Sequence, residues 1–203
     1  MSLPAEGRRP SHIRAIGLVF FLLLEAAPAQ PPELGWIDEA SIQSREILID
    51  FGDDRRFRGR IRAATLVAAP PETIWAVLSD CESAPEYLDN VQSCELIETL
   101  DGGNAQIFRQ RAKLRWFMPS FEHEFRLDYE PYTRISVTRV SGPFQQLDGV
   151  WWLVPESPER TRVIYRLDIE PGPLIPDFML SRPLRRDVLN AMRAVRELSE
   201  TNN

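Results

Sequence analysis

Residues 121–130 alternate between apolar and charged side chains, and this pattern constrains the fold more than any other feature of the chain. One set of alternate positions is aromatic or aliphatic apart from a single histidine: Phe121, His123, Phe125, Leu127 and Tyr129. The other set is charged throughout: Glu122, Glu124, Arg126, Asp128 and Glu130. A period of two with this contrast is typical of a strand with one buried and one solvated face. The stretch therefore predicts a sheet that is covered on one face.

The preceding stretch repeats the pattern with the opposite charge on its outer row. Its inner positions are Phe108, Gln110, Ala112, Leu114 and Trp116. Its outer positions are basic: Arg109, Arg111, Lys113 and Arg115. Antiparallel neighbours place a basic row beside an acidic row, which favours pairing. We therefore expect these two stretches to be adjacent strands.

Other patterns complete an α+β outline. Further strands are predicted at 47–51, 57–69, 91–100, 134–140, 147–154 and 162–170. Two short helices are predicted, one opening at Pro71 and one near Ser83, and a long amphipathic helix is predicted to begin near Pro183. Its apolar stripe consists of Leu184, Val188, Ala191, Met192, Val195 and Leu198. The simplest packing lays this helix across a curved antiparallel sheet, and the gap between them is a natural apolar cavity.

The first 29 residues have the composition of a secretory signal peptide. A basic start with Arg8 and Arg14 precedes an apolar run at 15–24, and Ala27 and Ala29 form a small-x-small cleavage site before Gln30. We expect cleavage and export to the periplasm or the outside of the cell; an uncleaved anchor at 15–24 and an organellar transit peptide are the alternatives. Residues 30–45 are predicted to be a linker and 46–200 the domain.

Cys81 and Cys94 are the only two cysteines. In an oxidising compartment they could form one disulfide that closes a short loop. Two small buried hydrophobic side chains are the equal alternative.

Several kinds of chemistry lack their residues. Beyond the predicted signal, His123 is the single histidine, and no spacing of zinc ligands, nucleophile elbow or glycine-rich phosphate loop occurs. A formal net charge of −6 argues against nucleic-acid binding. We therefore expect no metal, no cofactor and no assigned catalytic residue.

His123 lies on the predicted inner face and has two interpretations. It is either a pocket group that orients a ligand or moves a proton, or a core histidine held by a neighbouring hydrogen bond. The inner-face residues Gln110, Tyr129 and Tyr165 share these interpretations. The tryptophans Trp75, Trp116 and Trp151 either line a cavity or fill the core.

Three stretches carry a resemblance to a known superfamily. They are 68–80 with 85–87, then 149–155 with 161–165, and finally 173–176 before the last helix. The chain from about residue 64 to 198 resembles the START-like superfamily, in its polyketide cyclase/dehydrase and coenzyme-Q-binding branch. The resemblance implies a helix-grip fold, with a long C-terminal helix over a sheet of about seven strands and a hydrophobic ligand between them.

The expected function is non-enzymatic binding or transport of a hydrophobic ligand, such as a lipid, an isoprenoid quinone or a polyketide-like molecule. A cyclase or dehydratase and a ligand-free structural protein are the alternatives, and transient membrane contact is a further expectation. The candidate cavity residues are Trp75, Phe108, Gln110, Ala112, Leu114, Trp116, Phe121, His123, Phe125, Tyr129, Trp151, Tyr165, Val188 and Met192.

Overall fold

The computed structural model describes residues 34–51, 59–113, 119–173 and 177–202. The predicted signal peptide at 1–29 lies outside these residues. The helices are α1 (Glu39–Gln43), α2 (Pro71–Ser79), α3 (Ala84–Tyr87) and α4 (Asp177–Thr201). The strands are β1 (Leu48–Phe51), β2 (Gly59–Val67), β3 (Val91–Leu100), β4 (Ala105–Ala112), β5 (Phe121–Glu130), β6 (Arg134–Ser141), β7 (Phe144–Ser157) and β8 (Arg160–Pro171).

The described strands form one curved antiparallel sheet of eight strands in the order β1-β2-β8-β7-β6-β5-β4-β3. The predicted α+β helix-grip fold is confirmed. The strand predicted at 47–51 is present as β1 and pairs along the edge of β2, with Leu48 opposite Ala64.

The alternation of apolar and charged residues at 121–130 corresponds to the two faces of β5. In β5, His123, Phe125 and Leu127 are buried, and the charged side chains between them are half-buried or exposed. The predicted pairing of β4 with β5 is confirmed, since Arg109 lies opposite Glu124 in the register. An Arg109 nitrogen lies 2.8 Å from a Glu124 oxygen.

The inner face of the sheet carries the main core. α4 and α2 pack over this face, and their buried side chains join those of β2, β7 and β8. Ile61, Val163, Ile74 and Met192 are at most 1% exposed in this cluster. The predicted apolar stripe of the C-terminal helix thus faces the sheet.

Part of the predicted linker belongs to the domain instead. Ile37 and Ile42 pack with Ala64 and Ile164 on the outer face of the sheet, and Ile42 is fully buried. Asp38 caps α1 by accepting a hydrogen bond from the Ser41 backbone N–H at 2.9 Å. Two well-placed isoleucines are enough to fix this short helix on the sheet.

The last helix begins at Asp177, six residues before the predicted start at Pro183. Proline favours the first turn of a helix, because farther along it removes the hydrogen bond of its own nitrogen and its ring crowds the carbonyl four residues earlier, which is why the sequence placed the start at Pro183. At the other end of α4, Glu200 accepts a hydrogen bond from the Ala68 backbone N–H at 2.9 Å and pairs with Arg45. Both ends of the described chain therefore meet at the end of α4.

None of the helices in the described ranges has both the length and the apolar character needed to cross a membrane.

Candidate ligand-binding cavity

A two-lobed cavity lies between the inner face of the sheet and α4. The first lobe has a volume of about 200 Å³ and the second of about 270 Å³. The lobes share eight lining residues: Leu88, Gln110, His123, Leu147, Trp151, Tyr165, Leu167 and Ala191. These shared residues come from β4, β5, β7, β8, α4 and the segment between α3 and β3. The gap that the sequence predicts between helix and sheet is therefore present.

The structure separates the predicted cavity residues into three groups. Eight of them line one or both lobes: Gln110, Ala112, Phe121, His123, Phe125, Trp151, Tyr165 and Val188. Four lie outside the lining of both lobes: Trp75, Phe108, Tyr129 and Met192. Leu114 and Trp116 fall outside the described residues. Ligand contact by any of them stays a prediction.

The four residues outside the lining fill the core. Trp75 packs against Tyr129 with ring centroids 5.5 Å apart, and Phe108 stacks on Phe125 at 6.0 Å. Met192 is fully buried beneath α4. Periodicity assigned these side chains to the correct face, but it does not distinguish a filled site from a hollow one.

The sequence prediction missed other lining residues, among them Leu88, Asn90, Leu147, Asp187 and Ala191. Leu147 shares the period of two with Trp151, and Asp187 lies three residues after Leu184 on the helix. A stricter use of both periods would have found these two. Leu88 and Asn90 lie in an irregular segment, where no period carries a signal.

His123 is the most buried polar side chain in the cavity lining, at 7% exposure. Three rings surround its imidazole, those of Phe121, Phe125 and Phe144, with centroids 5.6 to 5.9 Å away. Its Nδ1 has no hydrogen-bond partner among the described residues. Burial lowers the pKa of His123 to about 4 from 6.5, so the ring is neutral at pH 7. The Nδ1 atom of His123 therefore lacks the neighbouring hydrogen bond that the core-histidine interpretation requires.

Gly142 fixes the position of His123 from behind. A Cβ atom at residue 142 would lie 2.4 Å from the Cβ of His123, and the φ angle of Gly142 is +118°. Both the close approach and the positive φ require glycine here. The imidazole is thus held against the cavity by the backbone of the β6–β7 turn.

Other polar groups surround the same space. Gln110 lies directly opposite His123 in the β4–β5 register. Tyr165 stacks on Trp151 with ring centroids 4.1 Å apart, and burial raises the pKa of its phenol. These side chains form a polar strip across an otherwise apolar wall.

Asp187 adds a carboxyl group to the first lobe. Its side chain is 12% exposed, and its nearest cation is Arg186, 3.5 Å away. Burial raises the pKa of the Asp187 carboxyl, and the positive charge of Arg186 opposes that shift. The carboxyl group of Asp187 therefore borders the cavity with little solvent around it.

A disulfide joins Cys81, just after α2, to Cys94 in β3, with Cα atoms 5.7 Å apart. Of the two interpretations left open by the sequence, the structure has the bridge. Cys81 itself lines the second lobe. The bridged segment also contributes Tyr87 and Leu88 to the lining, so the disulfide closes a loop that forms one wall of the cavity.

Within the described ranges, no three His, Cys, Asp or Glu side chains are grouped closely enough to hold a metal ion.

Known proteins share both the sequence pattern and the fold. The family model for "Polyketide cyclase / dehydrase and lipid transport" matches residues 67–196. A search of curated proteins finds no match to the sequence.

Three solved structures illustrate the likeness of fold. The Zhui aromatase/cyclase from Streptomyces sp. R1128 has 20% identity and a TM-score of 0.60, with 70% of this chain and 93% of that chain covered. The STAR-related lipid transfer protein from Xanthomonas axonopodis has 17% identity and a TM-score of 0.62, covering 74% and 98%. Human STARD10 has 14% identity and a TM-score of 0.64, covering 84% and 80%.

Identities this low show a shared fold only, and the named activities belong to those proteins. The match to the family model covers more than half of the chain and includes β7, β8 and most of α4. The fold is consistent with hydrophobic ligand binding. The chain therefore belongs to the polyketide cyclase/dehydrase and lipid transport family.

Proposed function

We propose that this protein binds and carries a hydrophobic molecule in the cavity beneath α4 without changing it chemically. The observation that carries the proposal is the cavity itself, whose walls are mainly apolar side chains from the sheet and from α4. A lipid, an isoprenoid quinone and a polyketide-like molecule all fit this description.

The apolar walls can supply the binding free energy without special chemistry. Burying one methylene group contributes about 0.8 kcal/mol, so ten contribute about 8 kcal/mol before the cost of association is subtracted. Millimolar binding requires about 4 kcal/mol net and micromolar binding about 8 kcal/mol net, so more than ten buried methylenes, or added polar contacts, bring the affinity to the micromolar range. A filled core, as in a ligand-free structural protein, would leave no such space.

The test is to fill the cavity and measure the binding of a neutral fluorescent probe, N-phenyl-1-naphthylamine. Ala191 lines both lobes from α4, so the indole in Ala191→Trp would occupy ligand space. We expect this variant to weaken probe binding at least about tenfold. The matched control is Ala76→Trp, which places the same side chain at an exposed position of α2. The proposal fails if the wild type does not bind the probe saturably, or if both variants bind it equally well.

A second candidate function, a cyclase or dehydratase, has one observation in its favour. His123 presents an unpartnered imidazole among the cavity walls, which is the type of group that moves protons in enzymes. Extraction of the bound molecule from wild type and from His123→Gln distinguishes the two functions. A carrier holds the same molecule in both proteins. An enzyme accumulates an unconverted molecule in the variant.

We also propose that the protein acts outside the cytoplasm after removal of residues 1–29. The Cys81–Cys94 disulfide supports this location, because structural disulfides persist in oxidising compartments. Mass spectrometry of the protein recovered from the cell envelope tests the proposal. A mature chain that begins at Gln30 is expected, and an intact N-terminus in the cytoplasm would rule it out.

A further inference from the structure

The cavity lining carries negative charge and no compensating positive charge among the residues that the structure describes. Asp187 lines the first lobe and Asp80 lines the second, whereas no arginine or lysine is among the described lining residues of either lobe. The one basic side chain, His123, is neutral at pH 7 because burial lowers its pKa to about 4. A ligand inside this cavity thus meets no cation on the described walls.

The two acids differ in how far their charge is already satisfied. Asp80 is exposed, and its Oδ1 accepts a hydrogen bond from the Ser83 backbone N–H at 3.2 Å. Asp187 is 12% exposed, and its partner Arg186 has a side chain that is 60% exposed. The guanidinium is therefore largely solvated, whereas the Asp187 carboxylate borders the cavity.

The lobes also differ in the polar side chains on their walls. The first lobe has Asp187 and Asn90 on its own walls, and it shares Gln110 and His123 with the second lobe. His123 is more than nine-tenths buried, with an Nδ1 that lacks a hydrogen-bond partner in the described structure. A buried polar group without a partner is unfavourable until something in the site bonds to it. The first lobe is therefore built to receive a polar group.

The side chains found only in the second lobe are mainly apolar; the exceptions include Asp80, which is exposed, and Tyr87, whose hydroxyl donates a hydrogen bond to the Asp80 carbonyl at 3.3 Å. The apolar side chains among them include Leu78, Phe125, Leu127, Val137 and Val195. Shared residues such as Leu147 and Trp151 connect the two lobes. A molecule that spans both lobes would have a polar group at one end and hydrocarbon at the other.

From this arrangement we infer that the ligand is an amphiphile whose polar group carries no negative charge and donates hydrogen bonds, such as an alcohol or an amine. This inference rests on the proposed binding function. The polar group lies in the first lobe against Asp187, and the hydrocarbon extends into the second lobe. A carboxylate or phosphate would face the Asp187 carboxylate in a poorly solvated space without a counter-charge, which is unfavourable on both counts. The cavity thus selects against fatty acids and anionic lipid headgroups.

The test uses ligands with one tail and different polar groups. Displacement of N-phenyl-1-naphthylamine from the full-length mature chain is measured at pH 7.5 with 1-decanol, decylamine, decanoate and methyl decanoate. We expect decanol and decylamine to bind at least about tenfold more tightly than decanoate. Methyl decanoate is neutral but donates no hydrogen bond, so we expect it to bind more weakly than decanol.

Two variants assign the selectivity to the carboxylate. Asp187→Asn removes the charge from the first lobe, and we expect it to reduce the difference between decanol and decanoate at least about threefold. The control Glu197→Gln removes one negative charge from an exposed position on the same helix and should leave the difference unchanged. If Asp187→Asn does not fold, the comparison of the four ligands on the wild type still decides the inference.

The failures of the two proposals are distinguishable. If neither the probe nor any of the four ligands binds, the proposed binding function fails. If decanoate binds as tightly as decanol, binding stands and the inference is overturned. Equal selectivity in Asp187→Asn and Glu197→Gln would overturn the role given to the Asp187 carboxylate.

Discussion

Two regions of the sheet, a filled one at β8 and a hollow one at β5, solve the same packing problem differently. At the β8 end, the neighbours Val163 and Ile164 point to opposite faces and are both buried, one under the main core and the other under the α1 segment. At the β5 end, His123 is buried, while Glu124 lies on the outer face and forms an ion pair with Arg109. β8 is thus covered on both faces around Val163 and Ile164, although Tyr165 and Leu167 farther along it line the cavity, whereas β5 has the cavity on one face and solvent on the other. The comparison suggests that the covered end provides most of the stability, which leaves the other end free to be hollow.

The largest effect that we expect comes from the filled core. Met192→Ala removes a fully buried side chain and should lower the free energy of unfolding by about 2–5 kcal/mol. Leu147→Ala removes a half-buried side chain that already faces both lobes, so it should cost less than half as much. Urea unfolding of both variants measures the difference. Equal losses would break the comparison between filled and hollow ends.

Lowering the pH should destabilise the folded protein through His123, which lies at the hollow end of the sheet. The pKa of His123 is about 4 in the folded protein and 6.5 in its ordinary state, so the unfolded chain takes up the proton first as the pH falls. The stabilisation is therefore complete above about pH 7 and is lost between about pH 6.5 and 4. The total loss is about 3 kcal/mol, at about 1.4 kcal/mol per pKa unit.

The measurement is urea unfolding of wild type and His123→Gln across this pH range. Carboxyl groups titrate in both proteins, so the difference between the two curves isolates the histidine. Parallel curves would contradict the assignment of this pH dependence to His123.

The disulfide should stabilise the wall of the hollow end. The Cys81→Ser/Cys94→Ser double variant opens a loop of 13 residues' separation and should lose about 2–3 kcal/mol of stability. Because the loop carries Tyr87 and Leu88 of the cavity wall, probe release should also be faster, which stopped-flow fluorescence can measure. Non-reducing mass analysis of the purified wild type should show no free thiol, and two free thiols would contradict the bridge.

The smallest effect that we expect comes from the ion pair between Arg109 and Glu124 on the outer face of the sheet. Arg109→Ala breaks the ion pair with Glu124 on the solvated face and should cost less than about 1 kcal/mol. Adding Glu124→Ala to the same protein completes a double-mutant cycle, and thermal unfolding is sufficient to measure it. A coupling energy above about 2 kcal/mol would mean that the outer face contributes as much as a core position.

Much of the fold was readable because charge and period agree. The alternation in β4 and β5 predicted their faces, their pairing and five of the residues that line the cavity: Gln110, Ala112, Phe121, His123 and Phe125. Ile42 and its short helix were missed, since five residues contain too little periodicity to stand out beside two prolines.

The cavity was harder to predict than the face on which it lies. Met192 and Val188 belong to one helical stripe, yet only Val188 is in the lining of a lobe. The difference depends on how far α4 stands from each strand, which is a property of the whole packing and not of local sequence. Asp187 was overlooked for a related reason, because a charged residue at the border of an apolar stripe is more often solvated.

The strand order also determines when this protein can fold. β2 pairs with β8, so Gly59 must meet Ile169 before the sheet is continuous. Until β8 has been synthesised, β2 and β7 both present unpaired edges, which are sites of aggregation. A sheet that depends on such a distant partner forms slowly, since the long loop must close before its contacts stabilise it. The nascent chain therefore remains without its central strand pair until synthesis is nearly complete, which is compatible with transport in an unfolded state.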